Sequence, residues 1–116
     1  MAWLDRALSI LLIVAGVVHA VDSFSFYRDE LTLLWAVCGA LFVILIGAIS
    51  LLRASRPGDR ALGWLCLVSE LAWIAVVIWF GQITFGLLRL HILVVLAVTV
   101  GMCVFSVRTI IARDAS

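Results

Sequence analysis

The stretch from Asp59 to Gly81, DRALGWLCLVSELAWIAVVIWFG, constrains the fold of this chain more than any other. It is apolar over a length that crosses a bilayer, and it carries one acid, Glu70, almost at its middle. A carboxylate at that depth costs several kcal/mol unless it is protonated, paired or wetted. The stretch therefore calls for lipid around it and for a built environment around one side chain.

Composition points the same way. Hydrophobic residues make up 66% of the 116 and charged residues only 13%, where a soluble domain would carry about a quarter charged. Mean hydropathy is +1.31. There is too little polar surface to cover a water-soluble globule, so lipid is the solvent for most of the chain. With a net charge of +1 and no basic stripe, nucleic acid is excluded as a partner. Nothing resembles a Ser-His-Asp arrangement, a phosphate loop or a dinucleotide fingerprint. An enzyme is not indicated.

Four apolar segments have the roughly 20-residue length a bilayer requires. They cover about 6–26, 31–52, 61–81 and 87–107. The first could pass for a signal peptide ending at Val18-His19-Ala20, but it is read as a retained membrane helix. The apolar runs are too long for barrel strands, and helices satisfy their own backbone in lipid. Short connections at Tyr27–Glu30, Arg53–Arg60 and Gln82–Gly86 make consecutive helices antiparallel neighbours. The expectation is one all-α domain over 1–116, a four-helix up-down-up-down membrane bundle. Arg6, Arg53, Arg56, Arg60, Arg108 and Arg113 fall on one side, Arg28 and Arg89 on the other. By the positive-inside rule both termini are cytoplasmic, in a bacterial inner membrane.

Asp5-Arg6-Ala7-Leu8 recurs as Asp59-Arg60-Ala61-Leu62. Either two helical hairpins of like topology arose by duplication, or both tetrads are helix-start chemistry, with Asp at the positive helix N-terminus and Arg snorkelling. The pairs Ala36–Ala40 and Ala97–Gly101, with Gly16 and Gly39, are expected where helices approach closely.

The polar residues suggest a site in the outer half of the bundle. Glu70 falls near the midplane, His19 roughly 4–5 Å outside it, and Asp22 and His91 roughly 9–10 Å outside it, with Arg89 at the edge. His19 and Asp22 share a face, and His19 continues the stripe Ser9, Gly16, Ser23, Phe26. Glu70 shares a face with Cys66, Trp73 and Val77, and His91 with Val95, Thr99 and Met102. If these faces converge, Glu70 and His19 exchange protons with a lipophilic or cationic ligand between Trp73 and Trp35. Alternatives stand beside this. No cofactor is predicted, but His19 and His91 could hold Zn, Fe or haem. The chain could be an accessory or scaffold subunit of a larger membrane complex. Or Glu70 only fixes helix register, with Asp22, Arg89 and His91 in the headgroup zone. A homo-oligomer is expected, because four helices enclose little volume. Cys38, Cys66 and Cys103 read as small apolar packing residues.

In size, helix count and a membrane-embedded Glu the chain resembles the small multidrug resistance transporters. That family's acid lies in its first helix, where this chain has Gly16, and its dual-topology members balance their positive charge. No function is carried over from it.

Overall fold

A computed structural model describes residues 2–83 and 90–112. Four helices run in order: α1 (Ala2–Phe26), α2 (Glu30–Ser55), α3 (Arg60–Ile83) and α4 (Leu90–Ile111). All four are long and apolar enough to cross a membrane. They lie side by side in a prism of 55 × 23 × 21 Å, so this is the all-α four-helix bundle the sequence implies. The helices outrun the apolar segments because polar residues at bilayer edges continue a helix at little cost, while hydropathy registers only the hydrocarbon part.

Local chemistry starts and stops each helix. Asp29 caps α2, accepting from the Thr32 backbone N–H at 2.9 Å and from its hydroxyl at 2.8 Å. Those two bonds favour the charged form and hold the Asp29 carboxyl below its usual range. Asp59 accepts from the Leu62 N–H at 3.0 Å at the start of α3. Between α2 and α3, Gly58 takes φ 91°, a backbone conformation open to glycine at little cost. That turn follows the last bond of α2, donated by the Arg56 N–H to the Arg53 carbonyl.

The hairpins α1–α2 and α3–α4 are each closely packed, and fewer contacts join one to the other. In the first hairpin the backbones touch. A Cβ on Gly47 would lie 2.9 Å from the Ser9 carbonyl oxygen and 2.6 Å from Ile13 Cγ1. One on Gly16 would lie 2.7 Å from Ile44 Cγ1 and 3.1 Å from the Ala40 carbonyl oxygen. Small residues let helices approach where lipid offers no hydrophobic drive between them. Gly16 and Ala40 fill the role expected of them. Gly39 does not, since a Cβ there meets nothing within 4 Å, and Ala97 is exposed.

The second hairpin does not repeat this register. Gly63, the counterpart of Ser9 in the DRAL echo, packs against Thr109 and Ile110. Gly101, the counterpart of Gly47, instead faces Leu8 of α1. The hairpins share their up-down sense but not their crossing point.

The interior is layered along the axis. Leu12, Val43, Ile46 and Met102 form an apolar core, with Leu8, Trp73 and Val98 against it. Toward the end that carries both termini the interior turns polar.

Replacing Gly47 by Ala should destabilise the bundle by about 1–3 kcal/mol, because the Ser9 backbone cannot yield without separating α1 from α2. Gly39→Ala should stay within about 0.5 kcal/mol of the wild type. SDS-driven unfolding in mixed micelles, followed by helix signal, distinguishes the two.

Candidate functional site: a buried Arg53 network

The stripes that build the polar layer follow helical spacing. On α1 the buried residues are Asp5, Ser9, Leu12, Gly16 and Ser23. On α2 they are Ala40, Val43, Ile46, Gly47, Ser50 and Arg53. Toward the shared end of the bundle, α1 runs Gly16, Leu12, Ser9, Asp5 and α2 runs Val43, Gly47, Ser50, Arg53, in steps of three and four that end on a charged residue. α3 contributes Cys66 and Glu70, and α4 contributes Thr99, Met102 and Ser106.

Arg53 is the centre of this layer. Its side chain is fully buried, as is that of Glu70, while the Asp5 side chain keeps 10% exposure. The guanidinium Nη2 pairs with Asp5 Oδ1. Nη1 faces Glu70 Oε1 at 3.3 Å, the Met102 carbonyl oxygen at 3.3 Å, and Ser106 Oγ. Glu70 is held further by Ser50, which donates to Oε1 at 3.1 Å, and by Ser106, which donates to Oε2 at 2.8 Å. The Cys103 thiol lies beside the same carboxylate. Through one guanidinium, α2 is therefore tied to α1, α3 and α4. Two carboxylates meet one cation. The Arg53 Nε is buried without a hydrogen-bond partner among the described residues.

A cavity of about 230 Å³ leads to this network from the end that carries the termini. Asp5, Arg53, Phe105, Arg108 and Thr109 line it, with Pro57 and Gly58 of the α2–α3 turn. Arg108 lies over the Phe105 ring, 5.8 Å from its centroid. Asp5 thus stands between the opening and the buried pair.

Glu70 is buried on the expected face, with Cys66 and Val77 buried and Trp73 half-buried alongside. Trp73 packs on Phe42 with ring centroids 5.6 Å apart, and its Nε1 is buried without a partner among the described residues. The other residues proposed from sequence are not gathered around Glu70. His19 and Asp22 are exposed on α1, His91 is exposed on α4, and Trp35 is 69% exposed on α2. Arg89 lies outside the described residues.

For the two histidines the departure has a local cause. The α1 stripe passes from Gly16 to Ser23 by way of half-buried Ala20 rather than His19. A period of 3.6 residues allows either position, and the tight α1–α2 crossing takes the smaller one. On α4, Ile92 turns inward one position from His91. The partners of Glu70 therefore come from the half of the bundle nearer the termini. Among the described residues no group of three or more His, Cys, Asp or Glu gathers where a metal could be held.

Arg53 and Asp5 were legible in principle. Arg53 sits three residues after Ser50, itself three after Gly47, so it continues a stripe of small residues. Asp5 likewise precedes Ser9 and Leu12 on one face. Both lie close enough to a helix end to read as interfacial charges.

Replacing Arg53 by Ala leaves the buried Glu70 carboxylate without its paired cation and should cost about 3–5 kcal/mol. Arg53→Met combined with Glu70→Leu and Asp5→Asn should recover most of that loss, because an apolar core of similar volume can substitute for a buried ion group. SDS titration of the single and triple variants measures both. No protein-family model, curated protein or solved structure matches this chain.

Proposed function

We propose that this small multi-pass membrane protein is a binding or transport module for a lipophilic cation, worked by the Asp5–Arg53–Glu70 network. The observation that carries this reading is the charge count in the bundle interior. Two carboxylates face one guanidinium, with Glu70 and Arg53 fully buried. Arg53 matches Glu70 in the interior, while the second carboxylate, Asp5, faces the cavity with Arg108 and Arg6 nearby, so Asp5 is the place where a proton or a cation can exchange. Packing alone would be served as well by apolar side chains. Asp5 supplies the route in, since it touches Arg53 and also lines the cavity open at the end with the termini. In this reading that end is cytoplasmic, on the side richer in Arg.

A cation arriving at Asp5 competes with Arg53 for carboxylate oxygens. A proton held among Asp5, Glu70 and the serines is then released. Arg53 is the resident counter-ion, Ser50 and Ser106 orient Glu70, and Phe105 offers an aromatic wall at the mouth. His19, the partner first expected for Glu70, has no part in this exchange. Among the described residues, Arg6, Arg108, Cys66 and Cys103 also lie near the network.

Tetraphenylphosphonium, titrated into purified protein in mild detergent, tests the reading. Binding should quench tryptophan fluorescence and release up to about one proton per chain into weakly buffered solution. Glu70→Gln should abolish the proton release and weaken binding at least about tenfold, a loss of about 1.4 kcal/mol, with helix content unchanged. Unaltered binding and proton release in that variant would sink the proposal.

A further inference from the structure

His19 and Asp22 remain outside the network, and their placement is costly. Both are exposed on α1, and neither side chain has a partner among the described residues. His19 lies roughly 10 Å inside the Phe26 end of α1 and Asp22 roughly 6 Å inside it. An imidazole and a carboxylate at such depths face hydrocarbon or its boundary, where polar groups are expected to find partners. One turn further in, on the same face, Ala15 is also exposed, so another backbone can approach closely there.

The pair is self-complementary. One residue is a base and the other an acid, three positions apart. A second α1 set beside the first by a two-fold axis brings His19 of each chain to Asp22 of the other, twice. Their difference in height is about 4.5 Å, which the two side chains can span. The bilayer chooses the direction of the pair. An antiparallel crossing centred between His19 and Asp22 lies about 10 Å from the midpoint of α1, so it would displace one bundle from the other by about 20 Å along the membrane normal. The apolar belts would then no longer share one bilayer. A parallel arrangement keeps them level.

We propose that α1 is the interface of a parallel two-fold homodimer, closed by reciprocal His19–Asp22 contacts over an Ala15 approach. The interface is isologous, each chain offering the same patch. It is independent of the Arg53 network, which points into the bundle while this face points out.

Single-molecule photobleaching in liposomes, with fluorescently labelled chain diluted stepwise into lipid, tests the proposal. The wild type should pass from dimer to monomer on dilution. His19→Ala and Asp22→Asn should each move that transition to about three- to tenfold higher protein density. The exchange of His19→Asp with Asp22→His in one chain should restore it, because the reciprocal pairs re-form. Leu65→Ala, on an exposed face of α3, should leave it unmoved. Neither His19 nor Asp22 supports its own bundle, so helix content and SDS resistance should match the wild type. A chain monomeric at every density would overturn the proposal, as would a transition indifferent to both single variants or an exchange that fails to restore it.

Discussion

A guanidinium buried among lipid-embedded helices must be answered from every side, and that requirement organises this bundle. Arg53 takes Asp5 from α1, Glu70 from α3, and the Ser106 hydroxyl with the Met102 carbonyl from α4. Its two hairpins are each closely packed and share fewer contacts with one another. The network is therefore the directional link between them. Hydrophobic burial cannot supply that link, because lipid tails are as apolar as the helix surfaces.

The same arrangement explains why the interior is layered. The Gly16 and Gly47 contacts bring α1 and α2 within backbone distance. Leu12, Val43, Ile46 and Met102 close the interior beyond the charges. Glu70 therefore opens toward neither lipid nor the far end, and Asp5 is the carboxylate that meets the cavity. Glu70 is thus buried, paired with Arg53 and reached from the cavity through Asp5.

Much of this was legible in the sequence, in proportion to how local the cause is. Segment lengths and apolar character fix four membrane helices, and short connections fix their antiparallel order. Glu70 stands out because no local context excuses an acid in mid-membrane. Its inward neighbours Cys66 and Val77 follow from helical period alone. His19 faces outward because a 3.6-residue period cannot tell position 19 from position 20, and close packing favours the smaller Ala20. His91 lost its inward place to Ile92 by the same one-position ambiguity.

By itself the sequence determined the class, the topology and the one residue that needed a partner, because length, hydropathy and the cost of a buried charge are properties of single segments. Only the tertiary structure decided what that partner is. Arg53 lies 17 residues before Glu70, and Asp5 lies 48 before Arg53. Neither separation carries a sequence signal. The pairing arises because an arginine near a helix end can either snorkel to the interface or reach inward. Which it does depends on whether neighbouring helices present acids at the right height.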